Sequence, residues 1–234
     1  MQVHSIQSLG TLDGPGVRFV VFAQGCPLRC KCCHNPDTWD FAGGKEFSVQ
    51  ELANRAGRYR EYFGSEGGIT VSGGEPLLQA AEVSELFSLC RAQGIHTCLD
   101  TSGCVLNADV RDLLSVTDRV LLDIKYTNDA DYRAHVGCAL APVLDFLNLL
   151  NERNIPTTLR QVIIPTLNDT EDNIRALAQI RDAHPCVDKV ELLPFRKLCH
   201  TKYEALDIPF PLENTPEPSA ETMAALNAHL AQPT

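Results

Sequence analysis

The sequence predicts an α/β fold, a partial (β/α)6 TIM-like barrel whose parallel sheet is open on one side. Six short apolar segments alternate with segments of helical periodicity, and such alternation implies a parallel sheet with right-handed crossovers. A closed barrel needs eight units and about 250 residues, whereas this chain has 234 residues. Polar motifs also follow the ends of several strands. A doubly wound open sheet is the alternative that the sequence leaves open.

Each element follows from a local pattern. Strands are predicted where β-branched and apolar residues form short runs, at 17–22, 69–72, 96–99, 119–122, 157–164 and 189–193. Helices are predicted from 3.6-residue periodicity and capping residues, at 48–63, 80–93, 107–115, 141–153, 170–183 and 219–230. The predicted N-terminal caps are Ser48, Asn107, Asp169 or Thr170, and Ser219.

The domain organisation predicted from this pattern is a single domain over 1–234. It has a short N-terminal lead, 1–16, and a C-terminal part, 204–234, in which a proline-rich irregular segment precedes the last helix. The net charge of −10 and the absence of lysine and arginine runs argue against a nucleic-acid or membrane-surface protein. The N-terminus lacks the pattern of a signal peptide, and no apolar run approaches the ~20 residues of a membrane helix. We therefore expect a cytoplasmic protein.

Three cysteines form the most informative motif. Cys26, Cys30 and Cys33 have the spacing Cys-x3-Cys-x2-Cys, directly after the first predicted strand. Structural zinc sites use four ligands, usually in two close pairs, and this chain has no second pair. A cubane iron–sulfur cluster needs one thiolate per iron, so three cysteines would leave one iron open to a ligand. Cys32 lies between Cys30 and Cys33, and the spacing alone leaves open whether it is a fourth ligand.

Other polar residues follow the next strands. Gly73-Gly74-Glu75 follows the second, and the alternative to a ligand-binding turn is an ordinary turn with a surface glutamate. Asp100 follows the third strand and Asp123 the fourth. Buried carboxylates usually hold a cation or a basic side chain, so a salt bridge with Lys125 or Arg160 is the alternative to a metal ion. In parallel α/β folds this edge of the sheet is where sites are built.

The order of these motifs resembles that of the radical S-adenosylmethionine (SAM) superfamily. Within it, the chain is similar to the glycyl-radical-enzyme activases, especially those that act on pyruvate formate-lyase. The resemblance extends from about residue 10 to about residue 203. It is carried by the cysteine loop and by the segments 13–18, 33–35, 72–76, 99–103, 122–125 and 191–194.

The resemblance implies the cofactors and their ligands. A [4Fe-4S] cluster is expected on Cys26, Cys30 and Cys33, which are then the catalytic residues, with no side-chain general base. SAM contacts are expected at Cys32, Cys33, His34, Gly73, Gly74, Glu75, Asp123, Ile124, Lys125 and Arg196. A monovalent cation, sodium or potassium, is expected at Asp100, Thr101 and Asp123. Arg196 stands where the family usually has histidine, and an arginine is not interchangeable with an imidazole.

The resemblance also implies partners. Pyruvate formate-lyase is the expected protein substrate, with its glycine loop held by Asp13 and Arg160, and flavodoxin or ferredoxin is the expected electron donor. A monomer is expected. The alternatives are a radical SAM enzyme acting on another glycyl radical enzyme or on a small molecule, and, more distantly, an iron–sulfur or zinc carrier protein. The spacing between Cys33 and Gly73 has no room for an added cysteine-rich domain, which favours the pyruvate formate-lyase type.

Overall fold

The sheet of the computed structural model, which describes residues 1–231, contains the six predicted strands and two more. The strands are β1 (Gln2–Gly10), β2 (Arg18–Ala23), β3 (Lys45–Glu46), β4 (Gly68–Gly73), β5 (His96–Thr101), β6 (Arg119–Asp123), β7 (Thr157–Ile163) and β8 (Val187–Pro194). Residues 232–234, the end of the predicted domain, lie outside the described residues.

The strand order confirms the predicted fold class. The sheet runs β3-β1-β2-β4-β5-β6-β7-β8, and the pairs from β2 through β8 are all parallel. A doubly wound sheet reverses its strand order at a switch point, and this order never reverses. Since β3 and β8 form opposite edges, the sheet is an open, partial barrel of six βα units with an antiparallel extension.

The N-terminal lead, 1–16, contains a strand that we did not predict. β1 pairs antiparallel with β2, from Val3 opposite Ala23 to Gly10 opposite Arg18, with two register shifts. Most of its residues are half-buried or exposed, so it lacks the apolar run by which the parallel strands are recognised. β1 therefore forms by pairing with β2, because the free side of β2 would otherwise present unpaired backbone groups.

The helices lie close to their predicted positions. They are α1 (Val49–Gly57), α2 (Arg60–Phe63), α3 (Ala80–Ala92), α4 (Ala108–Ser115), α5 (Asp129–His135), α6 (Ala141–Glu152), α7 (Glu171–Asp182), α8 (His200–Ala205) and α9 (Ala220–Leu230). The caps at Ser48, Asn107, Thr170 and Ser219 are confirmed, because each side chain accepts a hydrogen bond from the third residue after it. Each such bond satisfies an otherwise unpaired amide at a helix start.

Three helical predictions needed correction. The predicted helix 48–63 is two helices, because α1 ends at Gly57 and the Tyr59 ring stacks on Phe19 at 5.6 Å instead of continuing the helix. α5 was missed, since its seven residues are too few to show a helical period, although Asn128 caps it. α8 takes the first residues of the segment predicted to be irregular.

The inner parallel strands β2 and β4 are buried on both faces, and the parallel strands end at a common edge. β2 and β4 are almost entirely inaccessible to solvent, as expected for strands covered on both sides. The register places Ala23 beside Gly73, and Asp123 beside Arg160. The loops after these strands therefore meet at one end of the barrel. No helix within residues 1–231 has both the length and the apolar character needed to cross a membrane.

Candidate active site

A cavity of about 1200 Å³ opens at the carboxyl ends of the parallel strands. Every residue that the sequence nominated for the site lines this cavity, except Ile124 and Arg196. The cysteine loop follows β2, the glycine-rich turn follows β4, and the carboxylates belong to β5 and β6. Strands far apart in the sequence thus bring the motifs together, as they do at the catalytic edge of other parallel α/β folds.

The cysteine loop is held by backbone hydrogen bonds to its surroundings. The Arg29 and Lys31 amides donate to the carbonyls of Val136 and His135 at the end of α5, at 3.1 and 2.9 Å. The Arg29 guanidinium donates to the Cys26 carbonyl at 2.9 Å and lies over the Trp39 ring, 4.9 Å from its centre. These contacts hold the loop in one conformation, and a pre-organised loop lowers the entropic cost of binding a cofactor.

The four thiols of this loop are free; Cys26 and Cys32 are buried, and Cys30 and Cys33 are half-buried. Burial raises the pKa of Cys26 to about 12 and also raises the pKa values of Cys30 and Cys33. The thiols therefore carry protons at neutral pH, and a bound metal must displace those protons. Burial likewise raises the pKa of Cys32, to about 11.

The arrangement of the thiols fits a cluster better than a single ion. Within residues 1–231, no three His, Cys, Asp or Glu side chains converge closely enough to hold one metal ion. Cys26, Cys30 and Cys33 nevertheless line the same cavity. In an iron–sulfur cluster each thiolate binds a separate iron, so the sulfur atoms need not meet at a point.

The Gly73-Gly74 turn makes close contacts with the cysteine loop. The Gly74 amide donates to the Ala23 carbonyl, and the Glu75 amide donates to the Gly25 carbonyl, both at 2.9 Å. Gly73 has a φ of +106°, and a Cβ atom on Gly74 would lie 2.3 Å from the Gly25 carbonyl oxygen. The sequence predicted that these glycines let backbone approach a ligand. The structure shows that they let two backbone segments approach each other.

We expect Gly74→Ala to disrupt the cysteine loop, because its Cβ atom would overlap backbone that cannot move without breaking the Glu75 to Gly25 hydrogen bond. Iron incorporated on anaerobic reconstitution should fall by at least half, an effect of roughly the size expected for a mispositioned ligand set. Gly57→Ala is the control, since Gly57 has no positive φ and its Cβ atom would meet only the end of the flexible Gln93 side chain. Full iron incorporation in Gly74→Ala would show that the turn tolerates the overlap.

The Glu75 carboxylate is occupied by protein donors. It is buried and accepts hydrogen bonds from the Thr101 hydroxyl at 2.5 Å, the Ser102 amide at 3.1 Å, the Ser102 hydroxyl, and the Leu77 amide at 3.1 Å. It therefore ties β4 to the loop after β5. The alternative interpretation, an ordinary turn with a surface glutamate, is wrong because Glu75 is buried. A ligand at this turn would meet its backbone rather than this carboxylate.

Asp100 and Asp123 form a buried ion-pair network with two basic residues. Arg160 donates to both, at 3.2 Å to Asp123 and at a short distance to Asp100. Lys125 lies 2.5 Å from Asp123. Burial alone would raise the pKa of Asp123, but Lys125 and Arg160 hold it below its usual value. The salt bridge, which the sequence gave only as the alternative to a metal ion, is the arrangement observed.

The carboxylate of Asp13 enters the same cavity from the loop between β1 and β2. Its pKa is raised, first by burial and second by the charge of Asp100, while Arg160 opposes the shift. A carboxyl whose pKa is raised by folding stabilises the protein below its unfolded pKa, and this contribution is lost as pH rises through the folded pKa.

We therefore expect Asp13→Asn to stabilise the fold more at pH 8 than at about pH 4, the ordinary pKa of an aspartate. The measurement is urea unfolding of the metal-free protein at several pH values between these limits. Asp207→Asn is the control, since Asp207 is exposed and lies outside the cavity. A stability difference that does not change with pH would contradict the shift.

Two nominated residues do not reach the cavity, and one reaches it differently than expected. The Arg196 guanidinium is exposed and pairs with Glu217 at 2.6 Å. Ile124 is fully buried in the core. His34 lines the cavity, but its Nε2 donates to the Arg196 carbonyl at 3.0 Å. The backbone of Arg196 therefore contacts His34, and its side chain pairs with the carboxylate of Glu217 at the surface.

Several supporting residues were missed by the sequence analysis. Trp39 lines the cavity and packs edge-on against Tyr203, whose hydroxyl donates to the Cys33 carbonyl at 3.1 Å. Lys202 pairs with Asp37 at 3.0 Å and so ties α8 to the cysteine loop. Trp39 is the only tryptophan of the chain, a signal that we did not use. Tyr203 and Lys202 are about 170 residues from the loop along the chain and carry no local signal.

Comparison with known proteins gives a consistent result. The Radical SAM superfamily model matches residues 20–178. The pyruvate formate-lyase-activating enzyme of Clostridium pasteurianum is 44% identical over 232 residues, covering 99% of this chain and 97% of that protein. The pyruvate formate-lyase 1-activating enzyme of Escherichia coli K12 is 41% identical over 234 residues, covering 99% and 95%.

Solved structures support the fold. A domain of the pyruvate-formate lyase-activating enzyme from Bacteroides vulgatus aligns with a TM-score of 0.59 at 23% identity, covering 70% of this chain and 92% of that domain. Coproporphyrinogen III oxidase from Escherichia coli, a radical SAM enzyme, aligns with a TM-score of 0.59 at 16% identity, covering 93% of this chain and 53% of that one. The full-length sequence similarity and the shared fold together show that the chain belongs to the radical SAM superfamily and, within it, to the family of pyruvate formate-lyase-activating enzymes.

Proposed function

We propose that this protein is an activase that uses SAM to install a glycyl radical on pyruvate formate-lyase. The observation that carries the proposal is the placement of Cys26, Cys30 and Cys33 in one cavity with the glycine-rich turn and the carboxylates of β5 and β6. When bound, a [4Fe-4S] cluster that receives one electron from a reductant, together with SAM, would supply the radical chemistry by which a hydrogen atom is removed from a glycine Cα.

The residues of the chain would bind and orient the cofactors and exclude water. The cofactors themselves would supply the radical chemistry. Cys26, Cys30 and Cys33 would hold the cluster and leave one iron open to SAM. Backbone groups of Gly73 and Gly74 would bind the amino group of SAM, since the Glu75 carboxylate is occupied by protein donors. Lys125, Cys32 and His34 border the remaining space. Hydrogen atom transfer needs no general base, so none is assigned.

We also propose that Asp100, Thr101 and Asp123 can hold a monovalent cation. The two carboxylates are already balanced by Arg160 and Lys125, and the Thr101 hydroxyl donates to Glu75. We propose that a cation binds here only when Arg160 leaves the carboxylates to contact the protein substrate. The cation would then replace Arg160 at the carboxylates while Arg160 contacts the substrate.

The family and the charges near the cysteine loop support two partner proteins, a protein substrate and an electron donor. Asp13 and Arg160 line the cavity and would hold the glycine loop of pyruvate formate-lyase. Flavodoxin or ferredoxin would supply the electron. Both are acidic, and the cysteine loop suits them because no Asp or Glu occurs between residues 14 and 36, where Arg29 and Lys31 are found. We propose a cytoplasmic monomer that binds neither nucleic acid nor membrane.

The test is anaerobic reconstitution with iron and sulfide, followed by SAM, dithionite and pyruvate formate-lyase. We expect 5′-deoxyadenosine and an organic radical on pyruvate formate-lyase by electron paramagnetic resonance. Formation of 5′-deoxyadenosine without that radical would favour another glycyl radical enzyme or a small-molecule substrate. A full cluster without any SAM cleavage, even with the substrate present, would overturn the proposal and favour a carrier protein.

A further inference from the structure

Arg18, at the start of β2, is fully buried and has no carboxylate partner within residues 1–231. Its guanidinium donates instead to the Thr70 hydroxyl at 2.9 Å, to the Glu66 carbonyl at 3.1 Å and to the Ile69 carbonyl at 2.5 Å. Burial lowers the pKa of Arg18, which reflects the cost of a buried charge without a counter-ion. A chain with 30 acidic residues thus keeps a buried cation on a hydroxyl, on backbone carbonyls and beside the His96 ring, whose Nδ1 lies 3.3 Å from the guanidinium.

Thr70 connects the Arg18 side chain to the loop between β1 and β2. Its hydroxyl accepts a hydrogen bond from the Arg18 Nε and donates one to the Asp13 carbonyl at 2.7 Å. A hydroxyl has one proton to donate, and the bond from Arg18 directs that proton toward Asp13. Thr70 therefore fixes the backbone of the residue whose carboxylate enters the cavity.

The loop rests directly on these two side chains. A Cβ atom on Gly14 would lie 3.2 Å from the Cys98 sulfur, 3.5 Å from the Arg18 Nε and 3.6 Å from the Thr70 hydroxyl. Gly14 has a φ of +126°, a conformation that favours glycine. Arg18 also donates a long hydrogen bond, 3.5 Å, to the Pro15 carbonyl. The backbone of the loop is thus held at Asp13 and Pro15, on either side of Gly14.

We propose that Arg18 and Thr70 are positioning residues that set the place of the Asp13 carboxylate in the cavity and thereby determine how well the protein substrate binds. The inference rests on the proposed function. Neither side chain needs to touch the substrate, because they act through the backbone of Asp13. A merely structural role would lower the stability of the fold without acting specifically through Asp13.

The test is a double-mutant cycle on Thr70→Val and Asp13→Asn, with the KM for pyruvate formate-lyase as the readout. Arg18 itself is avoided, because its removal would leave several buried carbonyls unpaired and prevent folding. We expect Thr70→Val to raise KM roughly tenfold, the change expected for one lost hydrogen bond. In an Asp13→Asn background the same change should have little further effect, since the group being positioned has lost its charge.

The matched control is Thr157→Val. Thr157 is also buried in a parallel strand, and its hydroxyl donates to a carbonyl, that of Ile155, at 2.8 Å, but it has no contact with the loop. It removes a buried hydroxyl, so it should lower the stability of the fold and leave KM unchanged. Additive effects of Thr70→Val and Asp13→Asn on KM, or an equal rise in KM for Thr157→Val, would overturn the inference. Failure of the wild-type protein to radicalise pyruvate formate-lyase would overturn the proposed function instead, so the two failures are distinguishable.

Discussion

Cys30→Ala should reduce 5′-deoxyadenosine formation to the level seen without protein. Removing one of three thiolates leaves two protein ligands for the cluster, and the open iron that SAM would bind is no longer defined. Iron and sulfide content after reconstitution should fall together with the activity. The measurement is product formation from SAM with dithionite under anaerobic conditions, and Cys26→Ala and Cys33→Ala should behave alike.

Two controls separate a ligand from an ordinary buried cysteine. Cys186→Ala changes a buried thiol that lies outside the cavity, so it should keep the cluster and the activity. Cys32→Ala tests the ambiguous fourth thiol, and we expect it to keep the cluster because the ligand set is complete without it. A fully active Cys30→Ala protein would exclude the cluster assignment, and cluster loss in Cys32→Ala would make Cys32 a ligand.

Arg160→Met should destabilise the fold by about 3–5 kcal/mol, the usual cost of removing one partner from a buried ion pair. The Arg160 side chain is 11% exposed and Asp100 is 8% exposed, so water cannot replace the lost guanidinium. Asp123 would keep Lys125, but Asp100 would keep only the hydrogen bond from the Ser72 hydroxyl, at 2.7 Å. The measurement is urea unfolding of the metal-free protein at neutral pH.

The control for this prediction is Arg153→Met. Arg153 is exposed, and its guanidinium donates to the Arg111 carbonyl, so its loss should change stability by less than about 1 kcal/mol. Adding Asp100→Asn to Arg160→Met should restore part of the lost stability, because it removes the unpaired charge. Equal stabilities for Arg160→Met and Arg153→Met would show that the network contributes nothing to folding.

Local patterns in the sequence were sufficient for the six parallel strands, most helices and four helix caps. They also identified the cysteine loop and the strand-end motifs that line the cavity. Each of these depends on residues close together in the chain: a buried run, a 3.6-residue period, a capping side chain or a cysteine spacing. The order of the strands follows because consecutive βα units add to a sheet in sequence with one handedness.

The partners of the polar side chains were decided only by the tertiary structure. The sequence offered Asp100 and Asp123 either a metal ion or a base, and the register that sets Asp123 beside Arg160 favours the base. It could not show that Glu75 would be taken up by hydroxyl and amide donors after β5, or that Arg196 would turn outward to Glu217. A charged group pairs with whichever groups folding brings within a few ångströms, and that distance is not encoded in any local pattern.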